Sequence, residues 1–493
     1  MSPRRTRSAG PIVVLAAMIL LPALALFGLW RYADGRTGEK GEPLPTTIAG
    51  AAPPAAPAPP LATPLLSFRR VAGLIARDLN DDVFAQEVGA FGATLDATSC
   101  LVVQLDGVAV GTHNPDLPVI PASNQKLLVA AAALHVFGAD YTFTTDVRAA
   151  GVAGGVVAGD LYLVGGGDPL LTTDDFVEAN IFDNPVINPT SLDTLADSVA
   201  AAGITQIQGG IVGDGTRFDD EFFHPSWPDD VLVTEGGPID ALLVNDARFL
   251  TDEWQVANDP NAGAAEELGR LLELRGITIG GEATSGTAAA EATSVASIES
   301  APLPLVIAEM QSTSDNNTAE MLIKEMAVAA GGTGTTVAGA AAAMAALAEL
   351  GHDTAGVVID DGSGLSNENR VTCGLLAGIL EQHEPGDGFA AGLPVAGETG
   401  TLADVFVDSP VAGRLVGKTG TLGNLPFNQD PPSVKALSGY LPVDGGGTIE
   451  FAFIMNSAGT LTDQSVYRPI WDEFARVLAT YPAGPTAAEL GPG

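Results

Sequence analysis

The stretch that most constrains this chain is Pro121-Ala-Ser-Asn-Gln-Lys-Leu-Leu-Val-Ala-Ala-Ala-Ala-Leu134. From Lys126 onward it is rich in Ala and Leu and meets no Gly or Pro until Gly138, which predicts a helix. Pro121 stands just ahead of the helix start, where its missing N–H costs nothing. Ser123 and Lys126 are three apart, so on the first turn their side chains lie on one face. A serine hydroxyl needs a neighbouring base to act as a nucleophile at neutral pH. A lysine amine is such a base once burial or a second cation depresses its pKa. The orphan N–H groups and positive dipole end of the helix favour anionic charge forming at Ser123. Taken alone, S-x-x-K is more often a serine N-cap followed by a solvated lysine, so the chemistry needs support from elsewhere in the chain.

At 493 residues, 46% of them hydrophobic and 17% charged, the chain is long and apolar enough for two or three folded domains. Acidic residues outnumber basic ones 60 to 22, a net charge of −38, which leaves no basic surface to neutralise phosphates and excludes nucleic acid as a partner. The first 35 residues form a targeting segment, with Arg4, Arg5 and Arg7 ahead of an uncharged apolar run from Pro11 to Trp30. That run is long for a secretory core and long enough to span a bilayer. The preferred reading is an uncleaved anchor with its basic end inside, and a cleaved signal is the alternative; both export the rest of the chain. Residues 36–66, including Ala51-Ala-Pro-Pro-Ala-Ala-Pro-Ala-Pro-Pro60, read as an extended linker. The two cysteines, Cys100 and Cys373, fit one long-range disulfide and fit two separate buried thiols equally well.

Beyond the linker, Leu66 to Leu95 carries helical spacing, and Cys100-Leu-Val-Val-Gln-Leu105 reads as a strand turning at Asp106-Gly107 into a second. From about 144 to 297 short apolar strands alternate with Gly/Asp turns, which predicts a strand-rich accessory region. Helical patterns return from Pro302, with an Ala-rich helix between Gly331 and Leu350. Two strand candidates (Ala436-Leu-Ser-Gly-Tyr-Leu441 and Ile449-Glu-Phe-Ala-Phe-Ile-Met455) and an amphipathic helix from Val466 to Leu478 end the chain. The order predicts an α+β domain, over 67–143 and 298–493, interrupted by an inserted domain over 144–297.

Two further short motifs bear on Ser123. Ser314-Asp315-Asn316 lies just ahead of a helical stretch, where a hydroxyl and an amide two apart could relay a proton and hold a substrate amide; alone it reads as a helix N-cap cluster. Gly417-Lys-Thr-Gly-Thr-Leu422 is not a nucleotide loop, since a P-loop would need Gly where Ala412 stands. At the start of a strand its lysine and threonines could instead grip a carboxylate. S-x-x-K, S-D-N and K-T-G in that order are the combination of the penicillin-recognising serine enzymes, and the sequence resembles the penicillin-binding proteins. More narrowly, it is similar to the low-molecular-mass D-alanyl-D-alanine carboxypeptidase/endopeptidase family of class C type, which carries a guest domain between the first two motifs. That match rests on the long gap from Lys126 to Ser314, on Gly166-Gly-Asp-Pro169, on Asp361-Gly-Ser-Gly-Leu-Ser366, and on Ala396-Gly-Glu-Thr-Gly-Thr-Leu402.

The resemblance implies a β-lactamase/transpeptidase-like fold, an antiparallel sheet with helices, and an extracytoplasmic serine peptidase acting on peptidoglycan stem peptides and inhibited by β-lactams. It implies Ser123 as the acylated nucleophile, Lys126 as its base (the assignment is disputed across the superfamily) and Ser314 as a proton relay. It further implies Asn316, Lys418, Thr419, Gly420 and Thr421 as substrate-binding residues, and no metal or organic cofactor. Asp214, in Val212-Gly-Asp-Gly-Thr-Arg-Phe218, is the candidate for holding the amino end of the peptide stem. Relatives often carry an arginine where this chain has Asn367, which puts the side-chain preference in doubt. Glu398-Thr-Gly-Thr401 lacks the cation of its near-repeat at Lys418 and reads as a structural turn. The rival readings are a β-lactamase or esterase of the same fold and an idle wall-binding scaffold or β-lactam sensor. Neither H-E-x-x-H nor G-x-S-x-G occurs, which disfavours a zinc peptidase and an α/β-hydrolase.

Overall fold

The computed structural model describes residues 68–490 apart from 181–185, 228–230, 233, 249–255, 424–431, 445 and 458–459. The targeting segment and the Pro/Ala linker therefore lie outside the described residues. Among the described residues, no helix is long and apolar enough to cross a membrane.

The site is carried by a five-stranded sheet in the order Val416–Leu422, Ser433–Pro442, Thr448–Ser457, Cys100–Leu105, Val108–His113. Every pair in it is antiparallel. Its first hairpin turns at Asp106 (φ 49°) and Gly107 (φ 75°), the two left-handed residues that match the twist of the flanking strands. Because side chains alternate across a strand, Thr448–Ser457 feeds two cores. Phe451 and Phe453 enter one with Phe84, Phe91, Trp471 and Phe474. Ala452 and Ile454 enter the other with Leu127, Leu128 and Leu376. Helices Phe68–Gly92 and Gln464–Leu478 supply the first core; helices Gln125–Phe137 and Cys373–Glu381 pack in the second.

The terminal hairpin, the final helix and the Ala-rich helix (Thr336–Glu349) stand where their patterns predict them. The region after Thr144 is less purely stranded than its Gly/Asp turns suggest. A mixed sheet runs in the order Ala283–Ser285, Ile211–Asp214, Leu161–Val164, Thr144–Ala149, Thr293–Glu299. Helices Leu192–Ala201 and Pro260–Leu274 share one apolar core with it. The first of these helices was legible: Leu192, Leu195, Ala196 and Val199 are buried at the spacing of a single helical face.

Cys100 and Cys373 are bonded, with Cα atoms 5.8 Å apart and a sequence separation of 273. Both are buried, and the bond ties the first residue of a central strand to the first residue of a covering helix. Loop closure on this scale predicts that replacing both cysteines with alanine lowers stability by about 2–5 kcal/mol. Chemical denaturation with and without reductant measures it, and wild-type protein unfolded without reductant should take up no thiol label.

Candidate active site

Helix Gln125–Phe137 is apolar nearly all round, and its residues from Gln125 to Ala133 are all buried. A helix of that kind belongs inside the protein, so the lysine in its first turn is carried inside with it. Lys126 is 0% exposed. Its Nζ donates to Ser123 Oγ at 3.0 Å, to Asn316 Oδ1 at 2.6 Å and to the Ser363 carbonyl at 2.6 Å. Burial pulls its pKa down to about 8, against the opposing fields of Asp315, Asp361, Glu320 and Glu235. Ser123 sits in the short 3-10 turn Ala122–Asn124 ahead of the helix. Ala122 holds φ 49°, a left-handed conformation uncommon for a residue with a Cβ.

The second motif lies at the junction of helices Leu303–Ser312 and Asn316–Ala329. Asp315 is the N-cap, its side chain accepting from the Thr318 N–H, so the capping interpretation of this motif describes one of its residues. The flanking residues face the cleft. Ser314 (φ 64°) accepts at Oγ from Lys418 Nζ at 2.8 Å, and Asn316 links Lys126 to the Glu235 carbonyl.

Lys418, Thr419, Gly420 and Thr421 occupy the edge strand Val416–Leu422. Lys418 is 0% exposed and also donates to the Thr419 carbonyl at 3.0 Å. Burial, with the nearby Lys126, pushes its amine well below the usual lysine range. Gly420 lies close to that turn, since a Cβ there would stand 3.0 Å from the Pro121 carbonyl and 3.3 Å from Ala122 Cβ. The strand thus passes directly beside the turn that carries Ser123.

A third wall is the loop from Asp361 to Asn369. Asp361 accepts from the N–H groups of Gly364 and Ser366, from Asn369 Nδ2 and from Trp227 Nε1. Glu320 accepts from the N–H groups of Gly362 and Ser363. Those two carboxylates fix the Ser363 carbonyl under Lys126. Among the described residues, no group of three or more His, Cys, Asp or Glu side chains is placed to hold a metal ion.

The model of the D-Ala-D-Ala carboxypeptidase 3 (S13) family matches residues 96–257 and 250–481. The chain belongs to that family of hydrolases. Relatives include the D-alanyl-D-alanine carboxypeptidase of Actinomadura sp. strain R39, 29% identical over 92% of this chain and 89% of that one. A carboxypeptidase of Mycobacterium tuberculosis is 31% identical over 72% of this chain and 75% of its own length. Among solved structures, penicillin binding protein 4 of Haemophilus influenzae superposes with a TM-score of 0.64 at 20% identity, covering 81% of this chain and 98% of that one. The fold is that of a penicillin-binding protein.

In this S13 chain Ser123, Ser314, Asn316, Thr419 and Thr421 line one cleft of about 480 Å³, with Lys126 and Lys418 in its floor. Asp214, the candidate for the amino end of the stem, is not among its lining residues and is buried. Its Oδ1 accepts from the N–H and hydroxyl of Thr216, and its Oδ2 accepts from the Ala288 N–H. An aspartate opening a D-G-T turn satisfies its own backbone first. The converse holds for Thr401. Gly400–Leu402 is a short turn as expected, yet Thr401 lines the cleft and its hydroxyl shares a 2.7 Å hydrogen bond with Thr419. Lys435, Tyr467, Arg468 and Trp471 also line the cleft and carry no motif; the pairing of Lys435 with Thr421 appears only once the two strands are in register.

Gly364 (φ 88°) presses on the turn that carries Ser123, where a Cβ would lie 2.0 Å from the Ala122 carbonyl oxygen. Gly364→Ala must displace that turn, and a shift near 1 Å at a reacting group costs about 100-fold in turnover. Steady-state D-Ala release, with circular dichroism to confirm the fold, checks it.

Proposed function

We propose that this chain is a serine-type D-alanyl-D-alanine carboxypeptidase/endopeptidase that works on peptidoglycan stem peptides outside the cytoplasm through an acyl-enzyme on Ser123. The observation that carries it is the buried Lys126 amine at 3.0 Å from Ser123 Oγ, with a pKa of about 8. A neutral amine at that distance takes the hydroxyl proton as Oγ bonds to the carbonyl carbon of the penultimate D-alanine. The backbone N–H groups of Ser123 and Thr421 receive the oxyanion. Collapse of the tetrahedral adduct breaks the C–N bond, and Ser314, bonded to Lys418, passes a proton to the departing D-alanine nitrogen. Water then hydrolyses the ester, with Lys126 again holding the proton. Asn316 presents its amide to the peptide, while Thr419 and Thr421 seat the terminal carboxylate.

The remaining parts follow from that reading. Residues 67–143 and 298–493 are the catalytic part, 144–297 the guest domain, and the basic-then-apolar opening segment the export signal or anchor. β-Lactams, which place a strained amide and a carboxylate in the same arrangement, acylate Ser123.

Intact-mass analysis after mixing with benzylpenicillin tests the reading. A lasting penicilloyl adduct on Ser123, absent in Ser123→Ala, supports it; an adduct that vanishes while drug is consumed indicates a β-lactamase, and no adduct at any time indicates a scaffold. The pH dependence follows from the sign of the Lys126 shift. The base form is the neutral amine, so the rate at saturating peptide rises about tenfold per unit below pH 8 and levels off above it. Lys126→Met lowers that rate by about 100- to 10,000-fold.

A further inference from the structure

The cleft contains a cation that neither the three motifs nor the mechanism above employs. Lys435 stands directly opposite Thr421 in the antiparallel ladder, so the two side chains leave the sheet on the same face. Its Nζ donates to Thr421 Oγ1 at 2.7 Å and lies 3.9 Å from the ring centroid of Tyr467 and 5.1 Å from that of Trp471. The residue is 8% exposed, and what remains open faces the cleft that begins at Ser123.

Among the described residues, no carboxylate pairs with this ammonium. Asp404 exerts a field on it, but the Asp404 carboxylate is held by Arg468 at 2.9 Å. The absence is informative in a chain with 60 acidic residues and 22 basic ones, where a buried lysine could readily have been given a partner. One hydroxyl and two aromatic faces compensate part of the desolvation of a buried ammonium, and the rest calls for an anion. Burial, reinforced by Arg468, pulls its pKa down to about 8, so at neutral pH the group is still mostly charged. Lys418 does not fill this role, since its ammonium is turned to Ser314 and to the Thr419 carbonyl.

We propose that Lys435 is the counter-ion of the substrate's C-terminal carboxylate and a determinant of specificity for peptides that end in a free acid. It acts in two ways. Its charge lies behind the threonines that seat the carboxylate. Its N–H also occupies a lone pair of Thr421 Oγ1, and a hydroxyl that accepts on the sheet side is free to donate its own proton into the cleft. The proposal rests on the carboxypeptidase reading above, and the two fail in different ways.

The test is steady-state kinetics of the full chain on a stem peptide ending in D-Ala-D-Ala, beside the same peptide ending in D-alaninamide. Lys435→Met, which keeps the apolar stem and removes the charge, should raise KM for the acid about 10- to 100-fold. It should change kcat less than about threefold and leave any cleavage of the amide at the wild-type level, since the catalytic lysines are untouched. Lys435→Arg should restore most of the loss, and Lys435→Gln carries the same prediction as methionine should that variant fail to fold. An unchanged KM for the acid, a fall in kcat in its place, or an equal loss on acid and amide overturns the proposal. Wild-type protein that releases neither D-alanine from the acid nor D-alaninamide from the amide overturns the carboxypeptidase reading and takes this proposal with it.

Discussion

The arrangement depends on one buried ammonium. Lys126 is drawn inside because the helix it begins is apolar nearly all round, and an unpaired charge there would cost several kcal/mol. Its three acceptors come from three separated parts of the chain: the turn before the helix, the Asp315-capped helix start and the Asp361 loop. Satisfying the lysine therefore requires those parts to converge. Convergence in turn holds the amine dry enough to lose its proton near neutrality. Fold and chemistry are here consequences of the same desolvation.

Convergence has a conformational cost. Ala122, next to Ser123, and Ser314 both hold positive φ, a conformation that costs of order 1–3 kcal/mol at a residue with a Cβ. Each is held by close packing or by bonds that permit no relaxation. Gly364 and Gly420 both approach the Ser123 turn, the first at a distance that excludes a Cβ and the second at one that leaves a Cβ little room. Ser314 is pinned between the cap formed by Asp315 and the ammonium of Lys418. The segment after Asp214 contributes from outside the sheet: Phe218 and Trp227 pack with Met321 and Leu365, and Trp227 donates to Asp361. A region that supplies no motif thus helps to fix the loop on which Lys126 rests.

What could be read from the sequence was local or ordered. The Asp106-Gly107 hairpin and the terminal helix are set by neighbouring residues, and the three motifs gain their force from order rather than from any one of them. What could not be read depended on register and on side-chain satisfaction. Thr401 meets Thr419 only because a short turn is folded back onto the edge strand. Lys435 meets Thr421 only because the pairing across the segment between them places one opposite the other. The partners of Asp214 were hidden for the same reason: its resemblance-based candidacy says nothing of the Thr216 turn and the Ala288 N–H that hold its carboxylate. Proximity in a motif cannot show whether a carboxylate is still free.

The cleft also shows how a strongly acidic protein can bind an acid. Its net charge of −38 repels anions at long range, so attraction has to be local and shielded from the surface acids. Three lysines supply it, each with its pKa lowered by burial. The field of Lys126 pushes Lys418 down further, whereas Asp315, Asp361, Glu320 and Glu235 oppose the fall at Lys126. Lys435 stands on the neighbouring strand, with the Tyr467 and Trp471 rings against its ammonium and Thr421 as its hydrogen-bond acceptor. Base and counter-ion make opposite demands on a lysine. The fold keeps the two apart, with Lys126 beneath the Ser123 turn and Lys435 one strand away, behind Thr421.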